Sequence, residues 1–198
     1  MKRYIKLILV GILFFSTADG QQLKTEKVKF IATLQGGILE GQADKTAAQL
    51  QLLGGIKKNA WLISLGVGLD YYGTKRSVPL FIDVKNVIGK RKNAPFIYVA
   101  AGYNFSWLRS NEKIVSWWTE PGKENGGLFY DAGMGYKFSL KNKMAFGLSA
   151  GYSYKEQSEI IQPFSNCDFC VPPQNIPPKP ETYKYQLRRI SVKLHFWF

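Results

Sequence analysis

The chain has 198 residues, which suits one domain, and carries 27 Lys and Arg against 14 Asp and Glu, a formal net charge of +13. So basic a chain invites a nucleic-acid interpretation. However, its basic groups at Lys57 and Lys58, at 90–92 and at 141–143 fall in short predicted turns and not along one helix or face. An anionic membrane surface or lipid phosphate is the more natural partner.

The first twenty residues have the three-part pattern of a secretory signal. A basic start at Lys2 and Arg3 precedes an apolar run over residues 7–15, and small residues Ala18 and Gly20 precede Gln21. A membrane anchor would need about 20 apolar residues, twice what this run supplies. We therefore predict a cleaved signal peptide over 1–20, a short periplasmic lead over 21–26 and a single domain over 27–198. Export argues further against nucleic acid as a partner.

The remaining chain contains eight segments in which apolar residues alternate with small or polar ones. Alternation at period two places the two sets on opposite faces of a strand. After the signal, no run reaches the ~18 apolar residues of a transmembrane helix. The predicted strands are Lys27–Leu39, Ala48–Ile56, Trp61–Tyr72, Val78–Val84, Ile97–Trp107, Leu128–Ser139, Met144–Lys155 and Tyr183–Phe198.

The two faces of these segments distinguish a membrane barrel from a soluble one. In the third segment, Ser64, Gly66, Gly68 and Asp70 lie opposite large apolar residues. Small and polar residues would make a poor soluble core, but they suit the narrow lumen of an eight-stranded barrel whose apolar face meets lipid. We predict an all-β, eight-stranded, antiparallel, transmembrane up-and-down β-barrel.

The predicted connections alternate in length. Those near 57–60, 89–95 and 141–143 are short, while 109–126 and 156–182 are long and 40–45 and 73–77 are intermediate. Outer-membrane barrels alternate short periplasmic turns with longer outer loops. This order predicts that both termini face the periplasm.

The last strand carries apolar residues at every second position back from a terminal Phe. They are Ile190, Val192, Leu194, Phe196 and Phe198. This pattern resembles the C-terminal assembly signal of outer-membrane proteins. Together with the signal peptide and the loop order, it makes residues 27–198 similar to the small outer-membrane β-barrels, the porin-like or OmpA/OmpX-like barrels. The resemblance implies transient recognition by the barrel-assembly machinery and an outer-membrane location.

Several charged residues fall on the minor, lumen-facing sides of the predicted strands. They are Lys29, Asp70, Asp83, Lys85, Asp131, Lys137, Arg189 and Lys193. Isolated buried ions are very unfavourable, so such charges must be paired or hydrated. We predict a structural plug of salt bridges; the alternative is a thin ion-conducting path. Eight strands leave little free bore.

Two motifs fall in the predicted outer loops. Cys167 and Cys170 lack the further ligands that a closed zinc site requires, so we favour a local disulfide. Trp117 and Trp118 could stack on a sugar or a partner, or dip into the headgroup layer. No cofactor is implied.

Aromatic residues near the strand ends predict the girdles of a membrane barrel. The outer girdle would contain Tyr71, Tyr72, Tyr103, Trp107, Tyr152, Tyr154 and Tyr183, and the inner one Trp61 and Trp197.

Catalysis is not indicated by the sequence. A serine hydrolase needs a His beside its Ser, and the one histidine, His195, lies near the C-terminus, at the predicted periplasmic end. Glu156 and Glu159 fall in a predicted loop without a positioning partner. We expect a non-enzymatic barrel in contact with outer-membrane lipid, with a structural role or a role in binding a protein or glycan through its outer loops. The alternatives are a narrow solute or ion channel and an accessory subunit of a larger outer-membrane complex.

Overall fold

The computed structural model describes residues 28–41, 46–72, 76–89, 91–107, 123–140, 144–161 and 181–198. The predicted signal peptide and periplasmic lead lie outside these ranges. The strands, in chain order, are β1 (Lys29–Glu40), β2 (Ala47–Lys58), β3 (Trp61–Tyr71), β4 (Arg76–Val87), β5 (Ala94–Ser106), β6 (Lys123–Asn125), β7 (Gly127–Ser139), β8 (Ala145–Ile161) and β9 (Glu181–Trp197). None of the described residues forms a helix long and apolar enough to cross a membrane.

The strands form one antiparallel sheet that closes on itself. Each strand pairs with its neighbours in the chain, β6 and β7 share one position beside β8, and β9 pairs with both β8 and β1. Beyond the end of β9, the amide of Phe198 donates to the carbonyl of Ala32 at 2.9 Å, which extends the closing seam. The predicted closed, eight-stranded antiparallel barrel is confirmed.

The register fixes the width of the barrel. Residue pairs followed from Lys29 through all eight positions return to β1 at Leu39, which is a shear of ten residues. With about 3.3 Å per residue and about 4.8 Å between strands, this shear tilts the strands by about 40° and sets a backbone radius of about 8 Å. Such a cylinder holds side chains and little else.

The strands meet in turns at two unlike ends. We call the end where β1 begins and β9 finishes the terminal end, and the opposite end the loop end. Connections 59–60, 88–93 and 140–144 lie at the terminal end, while 41–46, 72–75, 107–122 and 162–180 lie at the loop end. Asn59, with φ of 55°, takes the left-handed conformation that Asn tolerates in a tight hairpin turn. The two longest connections, 107–122 and 162–180, lie at the loop end as predicted, but 72–75 is shorter than 88–93 and 140–144 at the terminal end.

Both of the predicted long loops contain strand residues. The residues of β8 after Lys155 pair with Glu181–Gln186 of β9, so Glu156 and Glu159 lie on a strand and their assignment to a loop was wrong. The predicted long loop 109–126 also contains β6, which pairs with β8 at 158–160. Between β6 and β7 the pairing with β8 shifts by one residue, which indicates a β-bulge at this point of the sheet.

Burial along the strands is inverted relative to a soluble barrel. On β3, Leu65 is 61% exposed and neighbouring Ser64 is 3% exposed; on β7, Met134 is 69% exposed and Asp131 is fully buried. Large apolar side chains therefore cover the outside of the cylinder, and polar side chains line its lumen.

Some aromatic residues point inward, against the sequence interpretation. Tyr72 and Trp197, predicted in the girdles, are buried in the lumen because they share the alternating faces of Asp70 and His195. Phe81 is also buried there, over Gly66, where an added Cβ would lie 2.6 Å from the ring. A side chain at Gly151 would likewise collide with the hydroxyl of Tyr98. Glycines on the lumen face thus provide the space for these rings.

A closed barrel of this kind should resist detergent at room temperature. We expect the membrane-extracted protein to migrate differently on a denaturing gel when loaded unheated than after boiling, because the closed ladder unfolds only on heating. A sample unfolded in urea before loading serves as the control. Identical migration of the heated and unheated samples would count against a closed barrel.

Candidate functional site in the barrel lumen

Asp131 lies at the centre of a network built from three strands. Its Oδ2 accepts from Lys193 Nζ on β9 at 2.7 Å, and its Oδ1 accepts from the Tyr98 hydroxyl on β5 at 2.9 Å and from Ser191 Oγ at 3.3 Å. The Lys193 ammonium also sits 4.5 Å from the centroid of the Tyr98 ring. A carboxylate with three donors and a cation over an aromatic face is well compensated for its burial.

The other buried aspartates are each paired in the same way. Asp83 bonds to Lys85, two residues along β4. Asp70 of β3 bonds to Lys155 of β8, and it accepts from Ser77 Oγ at 3.2 Å. Each of the three aspartates thus faces one lysine, so each pair is neutral.

The remaining predicted lumen charges take other positions. Arg189 is buried and donates to the carbonyl of Leu39 at 3.3 Å. Lys137 is half-buried at the terminal end, with its ammonium 5.5 Å from the Trp197 ring centroid. Lys29 shares the lumen-facing side of Thr33 and Gln35, but it is exposed because it lies at the start of β1. Lys155 was left out of the predicted lumen charges, although it lies in the predicted strand on the same face as Ser153 and is buried.

Ser149 and His195 also meet inside the barrel. Ser149 Oγ and His195 Nε2 are 2.7 Å apart, a contact that the sequence alone did not reveal. Both residues are buried, and His195 Nδ1 has no hydrogen-bond partner among the described residues. The imidazole stacks on Trp197 with 5.3 Å between centroids. A hydrolytic triad needs an orienting partner at the second nitrogen and access for a substrate; this pair is packed as a structural contact.

Apolar layers fill the lumen between the polar ones. The middle layer contains Leu53, Phe81, Ala100 and Phe129, and the rings of Phe81 and Phe129 are 5.1 Å apart. Other apolar clusters lie toward the terminal end, around Phe96, and toward the loop end. The walls of a water-filled bore would be exposed to water, yet Leu53, Phe81 and Phe129 are at most 2% exposed. Side chains therefore close the bore at the middle layer.

Several buried polar atoms have no hydrogen-bond partner within the described ranges. Toward the loop end they include both side-chain polar atoms of Asn104 and of Gln157, and Asp70 Oδ1. Ordered water commonly satisfies such groups in proteins. These polar atoms are grouped near the loop end, so that half of the lumen is more polar than the terminal half.

The extended parts of β8 and β9 form a separate polar surface. The Tyr185 hydroxyl donates to Glu159 Oε2 at 3.2 Å across the two strands. Partial burial, and then the charge of Glu159, raise the pKa of Tyr185 above its ordinary value. No cluster of three or more metal-ligating side chains occurs in the part of the chain that the structure describes.

The other predicted sites divide into two groups. Cys167, Cys170, Trp117 and Trp118 lie outside the described residues. The assembly-signal residues all point outward from β9 and the chain end; they are Ile190, Val192, Leu194, Phe196 and Phe198. Recognition of this row by the assembly machinery stays a prediction.

The charge on Asp131 can be tested by removing it. Asp131→Asn should lower the free energy of unfolding by about 3 kcal/mol, because Lys193 is left buried without its counter-ion. Asp131→Leu combined with Lys193→Met should lose less, since no charge then remains unpaired. Reversible urea unfolding in lipid vesicles measures both, with Glu40→Gln as the exposed control. A loss below about 1 kcal/mol for Asp131→Asn would contradict this role.

No protein-family model matches the sequence, and no curated protein sequence matches it. Among the solved structures that match the chain are two outer membrane proteins. The crystal structure of the outer membrane protein OprG from Pseudomonas aeruginosa is 11% identical, with a TM-score of 0.56 over 88% of this chain and 97% of that chain. The solid-state NMR structure of the outer membrane protein AlkL in DMPC lipid bilayers is 9% identical, with a TM-score of 0.49 over 92% and 96% of the two chains.

At such low identity the likeness to OprG concerns the fold alone. The order of strands and the closure between β1 and β9 independently define an eight-stranded antiparallel barrel. The predicted resemblance is confirmed at this level: the chain has the fold of a small outer-membrane β-barrel.

Proposed function

We propose that the chain is a non-enzymatic β-barrel that spans the bacterial outer membrane, with both termini in the periplasm, and serves a structural or surface-binding role through its outer loops. The observation that carries this proposal is a cylinder with an apolar exterior and a filled, charge-paired interior. An apolar exterior on this scale is far beyond what soluble proteins leave exposed. In lipid the same surface is favourable. Because the sheet is closed, no strand edge leaves backbone N–H and C=O groups without hydrogen-bond partners.

The filled lumen favours this role over that of a solute channel. Three neutral Asp–Lys pairs lie in the bore. Between them, Phe81 and Phe129 close the middle layer. An ion on this path would have to displace packed rings. It would also lose its hydration shell, and no set of protein ligands would replace that shell. The same interior supports stability, because its contacts join strands from opposite sides of the cylinder.

The loop end is the side suited to a partner. Connections 107–122 and 162–180 are the longest in the chain, and β8 and β9 are each 17 residues long, more than the 9–11 residues that a tilted strand needs to cross a bilayer. Their extended ends would hold the bases of these loops above the membrane. A protein or glycan is the class of partner that exposed loops with aromatic residues suit. In such an arrangement, transient contact with the assembly machinery would precede insertion.

Conductance distinguishes the proposed role from a channel. The purified protein in planar lipid bilayers should give no sustained conductance steps, because the middle layer of the lumen admits no water. A general porin inserted under the same conditions provides the positive control, and detergent alone the negative one. Stable steps that scale with the amount of protein would contradict the proposal and favour the narrow channel.

Co-purification addresses the accessory-subunit alternative. After extraction in mild detergent, a stand-alone barrel should elute without stoichiometric partners. A second membrane protein that remains bound at a fixed ratio, and is lost when residues 162–180 are replaced by a short Gly-Ser linker, would favour a subunit of a larger complex.

A further inference from the structure

At the terminal end the lumen opens into a small recess that no role above uses. Its enclosed space is about 20 Å³, so most of a bound molecule would lie at the solvent-exposed mouth. It is lined by the buried side chains of Leu62, Phe96 and Trp197, by buried Lys85, and by half-buried Lys57 and Lys137.

The charges in this recess are not balanced. Lys85 is neutralised by Asp83. Lys57 and Lys137 are both half-buried, repel each other, and have no carboxylate partner within the described ranges. Among the described residues, the Lys137 ammonium lies near the Trp197 ring, 5.5 Å from its centroid. Two like charges held together in a concave, partly desolvated position favour the capture of an anion.

The surroundings strengthen the positive field. Exposed Lys29, Lys58, Arg91 and Lys92 lie at the same end. Asp83, already paired, is the one acidic side chain at this end among the residues that the structure describes. At the loop end, by contrast, Glu40, Glu124, Glu156, Glu159 and Glu181 offset the basic residues.

We propose that the mouth of this recess binds a phosphate group between Lys57 and Lys137. A phosphate monoester carries a charge of −1.5 to −2 at neutral pH, which matches two unpaired ammonium groups. Its oxygens accept from both lysines, as phosphates do at other paired-cation sites. The source is a free phosphate-bearing solute or a phospholipid headgroup. This site goes beyond the proposed role, since a barrel that does not conduct could still hold an anion at its mouth.

Calorimetric titration of the full chain tests the site. Inorganic phosphate is added to the protein in a phosphate-free maltoside detergent, at constant ionic strength, with chloride as the control anion. We expect saturable binding of phosphate, and at least a tenfold loss of affinity in Lys57→Gln and in Lys137→Gln. Lys57→Arg keeps the charge and should keep binding. Lys58→Gln, an exposed neighbour outside the recess, is the matched control and should bind within twofold of the wild type.

A second titration identifies the source of the phosphate. Short-chain phosphatidic acid presents a phosphate monoester on a lipid, and short-chain phosphatidylcholine is its control. Binding of phosphatidic acid without binding of inorganic phosphate assigns the site to a lipid headgroup; binding of inorganic phosphate assigns it to a solute. Absence of saturable binding in both arms, or an equal loss in Lys58→Gln and Lys137→Gln, would overturn the proposal.

Discussion

The pairing of β1 with β9 is the constraint on which the rest of the structure depends. It joins Thr33–Glu40 to Ile190–Trp197 and removes both edges of the sheet. Because the register returns to β1 ten residues along, the seam also fixes the tilt and a radius of about 8 Å. A wider barrel could hold water and hydrated ions. This one must be filled by its own side chains, and the choice of those side chains follows from the width.

The small radius explains why rings, glycines and ion pairs occur together inside. The ring of Tyr98 reaches past β7 to β8, where Gly151 leaves room for its hydroxyl. The polar groups that alternate with these rings cannot reach bulk water, so each aspartate needs a cation within contact distance. Asp131 meets this need with donors from β5 and β9, which ties distant parts of the cylinder together. The contacts inside the barrel thus stabilise the closed sheet that the pairing of β1 with β9 completes.

Much of the fold could be predicted because strands report their faces through alternation. Ser64 and Leu65 are adjacent in sequence and opposite in exposure, as period two requires. The end of β8 was missed because Glu156–Ile161 lacks that contrast, and a polar strand above a membrane resembles a loop. Tyr72 and Trp197 were assigned to the outside by residue type, although their alternation with Asp70 and His195 places them inside. Alternation is the stronger signal of the two.

The lumen network was less predictable, for a physical reason. A face assignment states that Asp131 and Lys193 point inward, but their contact depends on registers accumulated over successive strands. The pairing of Ser149 with His195 is of the same kind, since it joins residues 46 positions apart. The pairing of Lys155 with Asp70 likewise depends on the register, because it joins β8 to β3 across the lumen. Alternation in the sequence predicts which residues face the lumen. The register of the closed sheet determines which of those residues contact one another.

The outward apolar band should contact lipid, and nitroxide labels on the barrel test this contact most directly. Single labels at Leu65 and Met134, in the band, and at Glu181, above it, are placed on the barrel in phospholipid vesicles. Collision with dissolved oxygen is then compared with collision with a water-soluble nickel chelate. We expect oxygen to dominate at Leu65 and Met134 and the chelate to dominate at Glu181. Dominance of the nickel chelate at all three positions would contradict contact of the band with lipid.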